Sequence, residues 1–304
     1  MVRLIAFLVG LGFVVVAGWS LGNGVVAYAT QPQEESVEHR FHLSPKHVDF
    51  SFNGPFGKYD RQQLQRGFQV FKEVCASCHS LSLVAFRNLE EIGYNEAEVK
   101  AISNQWQIEV PSVDPKTGEA STRKGTPADH FPSPYLNEVA ARAANNNALP
   151  PDLSLITKAR HDGPAYVYSL LTGYRNPPAD LPADSRPGEG LHYNPYFANL
   201  NIAMPPPLTG DGQVTYADGT KPTQDQVAKD ISAFLAWTAE PRLENRHRAG
   251  LAVVLFLLFA TVLSYLAYQN VWHTAKRKVR HTGPLDPENM AKRDAANREA
   301  GVNL

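Results

Sequence analysis

The sequence predicts a mainly α-helical domain with long loop insertions, followed by one C-terminal transmembrane helix. Three observations predict it. Apolar residues recur at helical spacing at Leu64, Phe68, Phe71 and Val74, and again at Val227, Ile231, Phe234, Leu235 and Trp237. Most of the 23 prolines lie between these two stripes, in stretches that read as loop. Finally, Ala249 to Tyr268 contains no charged residue and is long enough to cross a hydrocarbon core of roughly 30 Å as a helix.

The first stripe runs directly into Cys75-Ala76-Ser77-Cys78-His79, which holds the only two cysteines of the chain. Two thiols at this spacing can reach the two vinyl groups on one porphyrin edge, and the histidine after them falls beneath the iron. A bare C-x-x-C also suits a redox dithiol or half a zinc site. His79 and the lack of further cysteines count against both. A thioredoxin-like pair would open a helix after a strand, whereas here a helix-like run precedes it. The motif therefore predicts one covalent haem c, with His79 as proximal ligand.

Of the three methionines, Met1 is the initiator and Met290 lies in a charged tail, leaving Met204 as candidate sixth ligand. Pro205, Pro206 and Pro207 follow it, fix the backbone and present the thioether from a stiff loop. The alternatives are a gap-filling core methionine or a histidine ligand from among His39, His42, His47, His130, His161 and His192. His/Met ligation saturates the iron and raises its potential, which suits electron transfer.

Taken in order, residues 1–29 read as an export signal: Arg3 is the positive flank, Leu4 to Val16 the apolar core, and Ala27-Tyr28-Ala29 a cleavage site. An uncleaved N-terminal anchor is the alternative. Residues 30–248 form the exported haem domain, 249–268 the transmembrane helix and 269–304 a cytoplasmic tail. Residues 30–59 read as an extended strap, and Asp60 caps the first stripe, where Gly67 permits another helix to approach closely. Ser80 to Pro132 reads as irregular, with Glu90, Glu91, Glu96 and Glu98 either a solvated face or a docking patch for a basic electron-transfer partner.

Ser133-Pro134 predicts the start of a helix through about Ala144, ended by Asn145-Asn146-Asn147. A short helix is expected over Ala165 to Thr172, stopped by Gly173. Arg160 and Tyr166 flank its start and are candidates to meet a haem propionate, which needs charge-assisted partners. Asn176 to Phe197 reads as loop, and Gln213 to Asp218 as a small strand before an Asp218-Gly219 turn. Thr223 and Gln226 form a capping box for the second stripe, whose natural partner is the first.

Charge agrees with export. Residues 30–248 carry 26 Asp and Glu against 21 Lys and Arg, a net of −5, with no basic stripe of the kind nucleic acid requires. Lys276, Arg277, Lys278 and Arg280 follow the apolar run, with Trp272 at the interface, so the C-terminus is expected on the cytoplasmic side. The haem domain is then periplasmic, on a protein anchored in the inner membrane.

Several blocks in this order resemble the cytochrome c1 family, the haem subunits of ubiquinol-cytochrome c reductase, in a bacterial form. They are the haem motif, Ala144-Asn145-Asn146 with Pro150-Pro151-Asp152-Leu153-Ser154, Leu170-Leu171-Thr172-Gly173-Tyr174, Asn194-Pro195-Tyr196-Phe197 and Met204-Pro205-Pro206-Pro207-Leu208. The resemblance implies a class I c-type cytochrome-like domain, axial ligation by His79 and Met204, and Arg160 and Tyr166 near a propionate. It also implies one-electron transfer from the Rieske iron-sulfur subunit to a cytochrome c acceptor, beside a cytochrome b subunit that oxidises quinol. Asn147 stands where the family commonly has Gly, and Asp162 and Ala165 where Gly and Asp are commoner. A free-standing membrane-anchored cytochrome donating to a terminal oxidase is the alternative. A peroxidase or gas sensor would need an open iron position, which Met204 argues against.

Overall fold

The computed structural model describes residues 2–30, 36–282 and 286–299, with the side chains of residues 2, 274 and 277–282 aside. Met1, residues 31–35 of the strap and the tail at 283–285 and 300–304 lie outside the described residues, as do the side chains of Arg277, Lys278 and Arg280. Two units are distinguished: residues 1–50 with 59–241, and residues 51–58 with 242–304.

In the first unit, Asp60 caps α3 (Arg61–Val70) by accepting the N–H groups of Gln62 and Gln63. The helix continues as one wide π turn over Phe71–Cys75, in which the Ala76 N–H reaches back to the Phe71 carbonyl. Such a turn inserts one residue into the helix and re-aims the chain just where the cysteines begin. Leu64, Phe68, Val70 and Phe71 are all buried.

Their partner is α7 (Gln224–Ala239), as the two stripes predict. Thr223 caps it by accepting the Gln226 N–H, but the reciprocal half of the capping box is absent because the Gln226 amide donates to Asp230 instead. The helices cross at Gly67, where a Cβ would collide with the Asp230 carbonyl and with Cβ of Phe234. Around the crossing, Phe68, Phe71, Phe86, Trp106, Phe131 and Phe234 pack in stacked, tilted and edge-on pairs, the closest being Phe86 and Phe131 at 4.3 Å between centroids. Such pairs add to the stabilisation that burying their area already gives.

The joint also contains a buried charge. Asp230 is fully buried and accepts from Arg66 Nε at 2.9 Å, Gln226 Nε2 at 2.8 Å and Gln63 Nε2 at 3.2 Å. Arg66 also bonds Asp218 at 2.8 Å and lies over the Tyr216 ring. Burial alone pulls the guanidinium pKa down, but these two carboxylates outweigh it and hold Arg66 firmly charged.

Several local expectations are corrected. The stretch from 80 to 132 is ordered: a 3-10 turn over Phe86–Ile92, α4 (Glu96–Asn104) and a hairpin of β1 (Val110–Val113) with β2 (Ala120–Arg123). The helix expected from Ser133 begins only at α5 (Glu138–Ala144), because Asn137 is the residue whose side chain accepts the N–H of Ala140. Ser133 instead accepts the Tyr135 N–H in a local turn. Asn146 and Asn147, at φ 49° and 62°, adopt the left-handed conformation expected of them.

No strand forms over Gln213 to Asp218; Val214 and Tyr216 are buried in irregular chain, and only the turn ending at Gly219 matches. At the end of the Asn176 to Phe197 loop, β3 (His192–Tyr193) pairs antiparallel with β4 (Asn201–Ile202) in a short hairpin that local composition does not show.

The strap contains a short helix, α2 (Val37–Phe41), and then runs without regular structure to Phe50. It is fastened by the Leu43 N–H to the Pro195 carbonyl and by the Lys46 N–H to Ser169. Lys46 Nζ donates to Thr172 and sits 5.6 Å from both the Tyr168 and Tyr196 rings. The N-terminal α1 (Val2–Thr30) is apolar, exposed and unbroken through Gly22-Asn23-Gly24.

In the second unit, residues 51–58 form turns in which Gly57 packs on the Phe52 carbonyl, and His247 contacts the Gly57 carbonyl through Nδ1 at 3.1 Å. The helix α8 (Leu243–Thr282) contains the apolar run, and α9 (Pro287–Glu299) follows. Arg3–Thr30 and Leu243–His273 are each long and apolar enough to cross a membrane.

Candidate functional site

The end of α3 delivers Cys75, Cys78 and His79 to one loop. The N–H groups of Cys78 and His79 both bond the Cys75 carbonyl, at 3.1 and 2.9 Å, so the motif closes as a tight turn. Cys75 is half-buried and Cys78 exposed, and no disulfide joins them. Burial pushes the Cys75 thiol up to about 12, with Cys78 adding to the shift. Its sulfur is therefore neutral and sits in surroundings that suit a thioether.

His79 Nδ1 lies 2.8 Å from the Pro151 carbonyl. A carbonyl only accepts, so Nδ1 carries the hydrogen and Nε2 keeps its lone pair for a metal. Burial pushes the imidazole pKa down, against the opposing pull of Pro151 and Asp152. The ring is neutral at pH 7, as ligation requires.

What holds Pro151 there is Asp152, which sequence reasoning left without a role. One oxygen accepts from Ser80 Oγ and the Ser82 N–H, each at 2.8 Å, and the other from the Ser154 N–H at 2.8 Å. The Asp-x-Ser spacing was the available signal, since Asp commonly bonds the backbone two residues on. Asp152 thus ties the loop after His79 to the loop that supplies the carbonyl. Burial raises its pKa, but the serine hydrogen bonds outweigh it and bring the carboxyl down to about 2, below the ordinary 3.8.

The stabilisation is therefore complete above about pH 4 and is lost as the pH falls through about 2. Asp152→Ala is expected to destabilise the domain by about 2–3 kcal/mol through two stranded N–H groups and a lost charge-assisted bond. It should also flatten this acid limb. Urea unfolding at pH 3 and pH 7 checks both, and an unchanged midpoint at pH 7 would refute the tie.

Met204 follows β4 and is half-buried. Its carbonyl accepts from the Tyr174 hydroxyl at 3.1 Å. Tyr174 comes just after α6 (Gly163–Leu171), which opens on Asp162 at φ 57° and Gly163 at φ 38° rather than at Ala165. A left-handed residue at 162 explains why glycine would serve there and why Asp, which tolerates that conformation, can replace it. Tyr166 is half-buried beside Tyr174; burial pushes the Tyr174 hydroxyl up, and Tyr166 adds to the shift. Arg160 is exposed and donates to the Ala159 carbonyl. The structure thus brings Cys75, Cys78 and His79 together and groups Tyr166, Tyr174 and Met204, while no contact joins Arg160 to Tyr166.

A cavity of about 490 Å³ is lined by Tyr174, Arg175, His192, Tyr193 and Pro206 among others. The acidic run is divided: Glu90 and Glu91 are exposed on the 3-10 turn, whereas Glu96 and Glu98 open α4, where Glu98 bonds the Asn95 N–H. At least half of that cluster is explained by helix capping.

Two thiols on a tight turn, a neutral imidazole with Nε2 available and a thioether on a proline-stiffened loop fit one covalent haem c. A mainly α domain carrying this donor set, followed in sequence by a helix long and apolar enough to cross a membrane, defines a c-type cytochrome. The chain belongs to the cytochrome c1 family, whose profile matches residues 50–275. It is 45% identical over 240 residues to cytochrome c1 of Rhodospirillum rubrum, covering 75% of this chain and 87% of that protein. It is also 45% identical over 257 residues to mitochondrial cytochrome c1 1, heme protein, of Arabidopsis thaliana, covering 84% and 80%. Similarity to cytochrome b/c1 of Bradyrhizobium diazoefficiens, 47% over 244 residues, covers 73% of this chain and 35% of that longer protein.

Proposed function

We propose that this chain is the haem-bearing electron-transfer subunit of a quinol-cytochrome c reductase. Cys75 and Cys78 hold one haem c by thioethers, and His79 and Met204 are its axial ligands. The observation that carries this is the Pro151 carbonyl on His79 Nδ1, which fixes the ring and leaves Nε2 to the iron. When bound, the haem supplies a reversible one-electron couple at a saturated iron. The chain's own residues orient the ligands and exclude water: the aromatic cluster stands behind α3, and the Asp152 tie keeps the motif loop from opening. Arg160 and Tyr166 are proposed to meet a propionate, which for exposed Arg160 requires its side chain to leave the Ala159 carbonyl.

The electron arrives from the Rieske iron-sulfur subunit and leaves to a cytochrome c, with the exposed Glu90 and Glu91 as part of an acidic docking face. The name cytochrome b/c1 borne by the bradyrhizobial relative supports cytochrome b as the neighbour that oxidises quinol. Cleavage after Ala29, a periplasmic haem domain, anchoring in the inner membrane by residues 249–268 and a cytoplasmic tail complete the reading.

Membranes containing the assembled complex provide the test. On adding quinol, the haem should be reduced in a single electron step, and extraction of the iron-sulfur subunit should slow this at least 100-fold while dithionite still reduces it fully. Fast quinol reduction without that subunit would sink the proposed electron route. Purification of the chain without cytochrome b would favour a free-standing cytochrome.

A further inference from the structure

The Met204 loop is bonded to a part of the fold remote in sequence. The Tyr174 hydroxyl donates to the Met204 carbonyl at 3.1 Å, across 30 residues. Around it, the end of α6 is clamped onto the β3–β4 hairpin. The fully buried Asn194 donates from Nδ2 to the Leu170 carbonyl at 2.8 Å and accepts the Tyr196 N–H at 3.1 Å. Gly173 packs so closely on Tyr196 that no Cβ would fit.

The hairpin turn itself is constrained: the Asn194 N–H bonds the Leu200 carbonyl at 2.7 Å, and buried Leu200 sits at φ 65°. A bulky residue stays in that region only where its surroundings over-determine it. Leu200 packs with Leu181 and Tyr193, with Val37 and Phe41 of the strap against them. The chain thus leaves β4 on a rigid base and meets Tyr174 two residues later.

We propose that Tyr174 is a positioning residue that holds the Met204 thioether in place for the iron, acting through the Met204 backbone from the base formed by α6 and the hairpin. The proposal rests on Met204 being the sixth ligand. Pro205, Pro206 and Pro207 stiffen the loop after Met204, and the Tyr174 bond, made to the carbonyl of the Met204–Pro205 peptide, ties that stiff segment to the end of α6. Without it, the thioether keeps its chemistry but spends less time at bonding distance, and an external ligand competes more successfully.

The test uses the haem-loaded full chain in detergent, with imidazole as competing ligand. Tyr174→Phe keeps the ring that walls the cavity and removes only the hydroxyl. It should raise the apparent imidazole affinity about 3- to 10-fold, the factor expected for one hydrogen bond of ordinary strength. The methionine-to-ferric-iron charge-transfer band should also be lost at lower pH than in the wild type, and hydrogen exchange of residues 202–208 should quicken.

Tyr168→Phe is the control: Tyr168 lies on α6, just before Tyr174, but its hydroxyl bonds Asp225. It should leave all three readouts unchanged, and an equal response from both variants would assign the effect to general loosening and overturn the inference. Unchanged imidazole affinity in Tyr174→Phe overturns it as well. If Met204→Leu itself leaves the spectrum unaltered, the ligand assignment fails instead, and the two failures are told apart by that variant alone.

Discussion

Met204→Leu is expected to abolish the six-coordinate low-spin spectrum and to lower the reduction potential by roughly 0.2–0.4 V, a substantial part of the about 0.8 V that axial ligands span. Leucine has nearly the volume of methionine, so the loop at residues 202–208 should keep its course and the change should report the lost sulfur. A thioether stabilises ferrous over ferric iron, and without it the couple moves to lower potential. Quinol would then reduce the haem poorly, and turnover through the complex should stall.

Optical redox titration beside the wild type measures both effects. An unchanged spectrum and potential would mean that a histidine occupies the sixth position. His192 would be examined first, because it pairs with Ile202 two residues before Met204. The electron-transfer reading would survive that result, whereas the role given to the proline loop would not.

The second large effect is expected at a residue outside the proposed ligand set. Asp230→Ala should destabilise the haem-loaded domain by about 3–5 kcal/mol, since it leaves Arg66 in the joint between α3 and α7 without its buried partner. For a domain of this size the melting temperature falls by on the order of 10 °C. Gln63 and Gln226 lose an acceptor at the same time. The double variant Arg66→Leu with Asp230→Leu should recover part of the loss, because it removes the stranded charge and fills the space with apolar volume. A melting temperature within 2 °C of wild type for Asp230→Ala would show that Asp218 and water suffice for Arg66. Cys75 lies about two and a half turns beyond Arg66, at the end of the wide turn that follows α3, so the variant should also retain less covalent haem at a given temperature.

What was legible in the sequence follows the reach of each signal. The Cys75 to His79 motif, the Asp60 and Thr223 caps, Gly67 as a crossing point and the apolar run in α8 all depend on residues within a turn or two of one another. Each was read in its place. The failures were equally local: Ser133-Pro134 looked like a helix start, but Asn137 five residues on supplied a better acceptor. The alternation from Gln213 to Asp218 looked like a strand, yet no neighbouring chain pairs with it, and its apolar residues are buried by other means.

The sequence by itself determined the chemistry at the centre: two thiols and an imidazole at the one spacing that suits a porphyrin edge, the methionine proposed to complete the set, and an apolar helix long enough to cross a membrane. Those conclusions need only adjacency. The tertiary structure decided which groups hold the ligands still. Pro151 reaches His79 across 72 residues, Tyr174 reaches Met204 across 30, and Asn194 reaches Leu170 across 24. Such bonds join carbonyls that every residue possesses, so no residue type marks them in advance; only the closure of the chain selects which carbonyl lies within hydrogen-bond reach of which donor.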